Sequence, residues 1–141
     1  MACDLCQQQG GELLWQSPLC RVVLVDDPHY PGFCRVILNR HLKEMTDLPA
    51  AERSMVMSVV FAVEQVLLEV LQPEKINLAS FGNMTPHVHW HVMPRFVDDR
   101  HFPQPLWGPA QRDGVVHGLP DLAKILRQRL EDVLKTGSDN G

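Results

Sequence analysis

Residues 87 to 95 read His87-Val88-His89-Trp90-His91-Val92-Met93-Pro94-Arg95, an alternation of imidazole and apolar side chains that constrains the chain more than any other segment. Side chains on a strand point to opposite faces with a period of two. One face of such a strand carries three imidazoles, while Val88, Trp90 and Val92 line the other. Three of the seven histidines in the chain fall within this short run, at the spacing that makes them strand neighbours. Such a row is a site of some kind, because packing alone gives no reason for it.

Single histidines are often satisfied core or surface residues, but three on one face would be partly charged neighbours near neutral pH. Two chemistries remain. His-x-His on a strand can place two nitrogens on one zinc ion. Alternatively, one imidazole attacks phosphorus while its neighbours fix its tautomer and bind the leaving oxyanion. Residues two apart on a strand are separated by roughly 6.6 Å, so neighbouring imidazoles can converge on one phosphate.

At 141 residues the chain is long enough for one domain with a real core and too short for two typical ones. Its 13 basic and 17 acidic residues give a net charge of −4 and are mixed along the sequence, so no basic stripe suggests binding to long nucleic acid. A nucleotide would have to be held by local donors. The start, Met1-Ala2-Cys3-Asp4-Leu5-Cys6, lacks the basic-then-apolar layout of a signal peptide, and the apolar stretch from Met55 to Val70 is interrupted by Glu64, Gln65 and Glu69. The expectation is a cytoplasmic enzyme with no membrane span. Four cysteines in that setting argue for thiols or a metal site over disulfides. Cys20 and Cys34 sit among Val and Ile as small hydrophobes, and Cys3-x-x-Cys6 is by itself a weak metal or redox signal.

The hydrophobic pattern predicts strands over Glu12 to Gln16 and Cys20 to Val25 around a Ser17-Pro18 turn, then a loop of turn formers from Asp26 to Gly32. Further strands are expected over Phe33 to Asn39, Lys75 to Phe81 and His87 to Phe96. Residues 49 to 72 read as a long helix with Pro49 in its first turn and a polar stripe at 54, 58, 65, 69 and 72, the remainder being apolar and covering a sheet face. After an irregular, Pro-rich segment from 97 to 118, Leu119 to Thr136 reads as a second amphipathic helix with Leu122, Ile125, Leu126, Leu130, Val133 and Leu134 inward, followed by a frayed tail over 137–141. Together these make an α+β domain whose five-stranded sheet is mainly antiparallel.

The triad segment resembles the histidine triad (HIT) family of nucleotide hydrolases and transferases, whose signature His-φ-His-φ-His-φ-φ is met at every position by residues 87 to 93, φ being apolar. Pro94-Arg95 continues it as in many Fhit-like and bacterial members. Upstream, Pro31-Gly32-Phe33-Cys34-Arg35-Val36-Ile37-Leu38-Asn39-Arg40-His41 is similar to the family segment Pro-Gly-His-x-φ-φ-φ-Pro-x-x-His. The resemblance runs from about residue 3 to about residue 107, within one HIT domain spanning 1–141. It implies the HIT fold, commonly a homodimer with paired sheets, and hydrolysis or nucleotidyl transfer at the α-phosphate of a substrate such as diadenosine tetraphosphate. Phosphoramidate hydrolysis of the Hint-like kind, or nucleotide binding with little turnover, remain alternatives.

Carried over residue by residue, the resemblance makes His89 the nucleophile that forms a nucleotidyl-histidine, His91 the contact to phosphate and leaving oxygen, and His87 a member of the triad network. No metal is then required for catalysis. A subset of the family joins an N-terminal Cys-x-x-Cys to two histidines around a structural zinc, which here implies Cys3, Cys6, His41 and His87. Asp26, with Asp27 beside it, is the candidate for the ribose hydroxyls, although it equally suits a turn. Asn83 and Thr85 stand in place of the Gly-Gln-Ser/Thr phosphate loop, with the hydroxyl displaced by one position. Phe33 and Leu38 replace a histidine and a proline of the pattern. Arg95, with Arg100 and His101, is within sequence reach of the distal phosphates, and Trp107 lies where C-terminal aromatics define substrate preference or anchor packing.

Overall fold

A computed structural model describes residues 3–139. Five strands, β1 (Glu12–Gln16), β2 (Cys20–Leu24), β3 (Cys34–Leu38), β4 (Lys75–Ala79) and β5 (His89–Arg95), form one sheet in the order β1-β2-β3-β5-β4, antiparallel at every ladder. A one-turn helix, α1 (Asp4–Gln7), precedes them. The long helix α2 (Ala50–Leu71) carries the chain from β3 to the edge strand β4, and α3 (Leu122–Asp139) closes the fold. Chain reversals are made locally. Ser17 Oγ accepts from the Leu19 and Cys20 amides at 3.2 Å each, which fixes the β1–β2 turn.

The two faces of the sheet have separate tasks. Cys34, Val36, Val92 and Val22 point to the back, where they pack against Val59, Val60, Val63, Val66 and Leu67 of α2 and Leu122, Leu126 and Leu130 of α3. The buried residues of α2 recur at steps of three and four, and each buried Val or Leu contributes about 1.5–3 kcal/mol. Length and composition alone would let α2 cross a bilayer, but its apolar face is spent on this core. The helix ends at Gln72 in the left-handed region (φ 53°), whose amide donates to the Leu68 carbonyl, and Pro73 follows.

Several boundaries and faces differ from the sequence expectation. Polar positions 54, 58, 65, 69 and 72 are exposed as expected, but α2 also exposes Met55, Phe61 and Leu68, because a cylinder against one sheet and one helix cannot bury its whole girth. α3 starts at Leu122, after Asp121 adopts a positive φ of 58°, and runs through Asp139 where a frayed tail from 137 was expected. Residues 140 and 141 of that tail lie outside the described residues. β4 ends at Ala79 and β5 begins at His89, two residues after the first triad histidine.

Candidate functional site

The front of the sheet, opposite α2, carries the chemistry. Arg35 and Ile37 of β3 lie directly across from His91 and His89 of β5. Two flaps of irregular chain border this face, residues 3–11 on one side and the segment after β5 on the other. The first is tied down by Arg21, whose guanidinium donates to the carbonyls of Leu5, Gln8 and Gln9 at 2.7, 3.1 and 3.0 Å and to Asn39 Oδ1 at 3.1 Å.

The second flap is organised by Asp99, which is buried and joined to Arg95 (Nε···Oδ2 2.8 Å). Asp99 also accepts from the Phe96, His101 and Phe102 amides and from the Tyr30 hydroxyl. Burial works against its charge, but the guanidinium and the three amides overcome it and hold the carboxyl well below its usual range. Arg95 further donates to Asn77 Oδ1 and to the Gln104 carbonyl, and is only 2% exposed. It is therefore not the phosphate contact that its place after the triad suggested. It holds the flap that carries Trp107.

The triad divides between two sites. His89 and His91 are on β5 with ring centroids 5.0 Å apart, whereas His87 lies outside the strand and its ring meets His41 instead (5.1 Å). His87 Nε2 donates to the Leu38 carbonyl at 2.6 Å. Leu38 also donates its amide to Val88 O at 3.1 Å, a bond that the proline of the family pattern could not make. The three imidazoles are thus not one row on one strand. The alternation with Val88 and Trp90 is kept, since both pack on the helix side.

Tautomers follow from these bonds. His89 Nδ1 lies 2.7 Å from the His87 carbonyl, which can only accept, so the proton is on Nδ1 and Nε2 keeps its lone pair. His91 is buried, its Nδ1 has no hydrogen-bond partner among the described residues, and Phe33 packs edge-on against it at 5.6 Å where the family pattern has a histidine. Burial first, then the neighbouring His89 ring and Arg35 guanidinium, pushes His91 down to about 4. It is neutral at physiological pH and can donate a hydrogen bond but carries no charge of its own. Phe81 and Trp107, both largely exposed, close on each other at 5.0 Å, and Trp107 meets the His91 ring at 5.1 Å.

Asn83 and Thr85 line the cleft of about 420 Å³ that also contains His89, His91 and Trp107. Asp26 is exposed in the loop after β2 and is not among the residues lining that cleft, while Asp27 Oδ1 caps its own turn by accepting from the His29 amide at 2.9 Å. Arg35 is the residue that sequence reasoning missed. It stands where the upstream family pattern has an apolar residue, and a charge in that place was the available signal.

Cys3, Cys6, His41 and His87 come together at the base of α1, with ligand atoms all within 4.8 Å of one another. Both sulfurs approach His87 Nδ1, at 3.4 and 3.5 Å, and Cys6 Sγ lies 3.4 Å from His41 Nδ1. A tetrahedral zinc with ordinary bond lengths would separate a sulfur and a nitrogen by about 3.6 Å. Because His87 commits its Nε2 proton to Leu38, its Nδ1 lone pair faces the sulfurs, which is the orientation that a carbonyl beyond the ligand normally enforces. The donor set fits zinc.

The antiparallel sheet with His89 and His91 paired at the head of β5 marks a histidine-triad class of protein. A family profile described as HIT domain matches residues 7–98, and the chain belongs to the HIT family. It is 28% identical over 100 residues to the AP-4-A phosphorylase of Mycobacterium tuberculosis (strain H37Rv), a match covering 67% of this chain and 51% of that protein. It is also 28% identical over 91 residues to the asymmetrical bis(5'-nucleosyl)-tetraphosphatase of Schizosaccharomyces pombe, covering 61% of this chain and 50% of that one. The chain thus spans about half the length of the curated relatives it matches. Among solved structures, a histidine triad protein from Bradyrhizobium japonicum superposes with a TM-score of 0.74 at 25% identity, covering 86% of this chain and 92% of the other.

Proposed function

We propose that this protein is a nucleotide hydrolase or nucleotidyl transferase that cleaves at the α-phosphate of a dinucleoside polyphosphate such as diadenosine tetraphosphate, through a covalent nucleotidyl-His89 intermediate. The observation that carries the reading is the Nδ1–H bond from His89 to the His87 carbonyl, which leaves a lone pair on Nε2 in the cleft. The names of the two relatives support the substrate class. His89 Nε2 forms a bond to the α-phosphorus as the bridging P–O bond breaks, and the electron pair leaves with the polyphosphate oxygen. His91, neutral and adjacent, donates a hydrogen bond to that oxygen or to the phosphoryl group. Water then attacks the same phosphorus, its proton passes to solvent, and the P–N pair returns to Nε2.

Zinc at Cys3, Cys6, His41 and His87 would be structural, with four protein ligands and no open position, pinning α1 to the sheet and orienting His87. The catalytic step uses no metal. A homodimer through the free edge of β4 is the assembly we propose, since paired sheets need an unpaired edge strand.

The test is intact mass of wild type and His89→Ala after brief, acid-free quenching with diadenosine tetraphosphate. An adduct of one AMP that requires His89 and accompanies turnover is expected. Undiminished hydrolysis by His89→Ala would overturn the mechanism.

A further inference from the structure

We propose that Arg35 binds the leaving side of the substrate, so that the group expelled from the α-phosphorus is an anionic phosphate chain and not a neutral amine. The proposal rests on the reading of His89 as nucleophile and narrows it to one substrate class.

The β3–β5 register sets Arg35 opposite His91 and Ile37 opposite His89. Arg35 and His91 are therefore displaced together from His89, by about 6.6–7 Å along the strands. In-line displacement puts the departing oxygen on the far side of phosphorus from the nucleophile. A polyphosphate expelled past His91 meets the guanidinium next.

The guanidinium is poorly provided for by the protein. Nη1 donates to the Gly10 carbonyl at 3.1 Å, Nε is buried without a partner, and no carboxylate pairs with the group among the described residues. Burial accordingly lowers its basicity. A half-buried cation left without a counter-charge is costly, and an apolar residue would satisfy this strand position without that cost. The arrangement makes sense if a ligand supplies the missing anion, and a guanidinium is the side chain best shaped for phosphate oxygens.

Space is available on both sides. Arg35 and His89 together line two neighbouring cavities of about 380 and 420 Å³, one walled by Asp4, Gln8 and Gly10 and the other by Asn83 and Trp107, with Thr85 common to both. The first also holds the Asp4 carboxylate, which disfavours an anionic phosphate chain there. The second, which Arg35 shares with His91 and the aromatic wall and whose lining holds no carboxylate, suits the phosphates beyond the scissile bond.

The chemistry separates substrates. When a dinucleoside tetraphosphate is cut at its α-phosphorus, the P–O bond breaks and negative charge grows on the departing nucleoside triphosphate, where a fixed cation stabilises the transition state. When an adenosine phosphoramidate is cut, the P–N bond breaks and the nitrogen departs as an amine after taking a proton, so the cation has little to act on.

The experiment compares kcat/KM for diadenosine tetraphosphate and adenosine 5'-phosphoramidate in wild type, Arg35→Leu, Arg35→Gln and Arg35→Lys, with the His89 adduct and the Tm followed for each. Arg35→Leu is expected to lower the tetraphosphate value by about 10²–10³-fold, the usual effect of losing one charge-stabilising donor. The phosphoramidate value should fall less than about tenfold, and Arg35→Lys should recover part of the lost selectivity. If the Leu variant folds poorly, Arg35→Gln gives the same comparison with a polar, uncharged side chain. Equal losses on the two substrates, or an unchanged tetraphosphate rate, would overturn the proposal and reduce Arg35 to a tie for Gly10. Formation of the His89 adduct in variants with unaltered selectivity would sink Arg35 alone. Turnover that does not need His89, or hydrolysis of neither substrate, would remove the reading beneath it as well.

Discussion

The backbone carbonyl of His87 lies 2.7 Å from Nδ1 of His89, while the His87 ring turns away to Leu38 and the two cysteine sulfurs. One residue therefore sets the tautomer of the proposed nucleophile with its main chain and serves a separate cluster with its side chain. Long-range proton–nitrogen correlation spectra of the imidazoles should find His89 protonated at Nδ1 and His87 at Nε2. A His89 signal typical of the Nε2–H form would contradict the hydrogen bond and block the nitrogen proposed to attack.

Metal content gives a second expectation. Protein purified without chelator should carry one zinc per chain, lost in Cys6→Ser and kept in His89→Ala. Removing it should lower Tm by several degrees, since binding to the folded site alone stabilises the fold. Wild-type protein that neither holds zinc nor gains stability on its addition would show that the four residues are a thiol and imidazole cluster only.

Acid stability follows from His91. In the fold it titrates at about 4 against an ordinary value of 6.5, because burial and the neighbouring His89 and Arg35 disfavour its charge. Between those pH values the unfolded chain binds more protons than the folded one. The contribution is therefore fully present above 6.5, declines as pH falls, and levels off near 4. Chemical denaturation at a series of pH values should show this slope, and His91→Gln should make it shallower.

Asp99→Asn tests the flap that carries Trp107. The substitution leaves the Arg95 guanidinium, 2% exposed, without its counter-ion. A loss of about 3–5 kcal/mol is expected on urea unfolding, as for other buried pairs broken on one side. A change under about 1 kcal/mol would mean that Asn77 and the Gln104 carbonyl suffice to hold Arg95.

Much of this could be read from residue order, and the exceptions have definite causes. All five strands were legible from β-branched runs between turn formers, and α2 from its 3.6-residue polar stripe. His89 and His91 emerged from their spacing alone. His87 did not follow the strand reading, because periodicity cannot report that a residue after Pro86 hands its ring to a carbonyl 49 positions away. Arg95 looked like a ligand because its partner is Asp99 at the far side of a turn, and a short turn gives no periodic cue. Arg35 was hidden for the opposite reason. It sits in a good strand, and only its departure from an apolar pattern set it apart.

Residues 3–11 border the triad cleft, yet Leu5 is the one buried side chain in α1, and what holds the segment is the grip of Arg21 on three carbonyls and the sulfur–imidazole cluster. A chain trimmed to begin at Glu12 would retain every ladder of the sheet and both long helices while losing the thiols and the carbonyl that engages Arg35. On the function proposed above, circular dichroism of such a fragment is expected to stay close to native while nucleotide binding is lost.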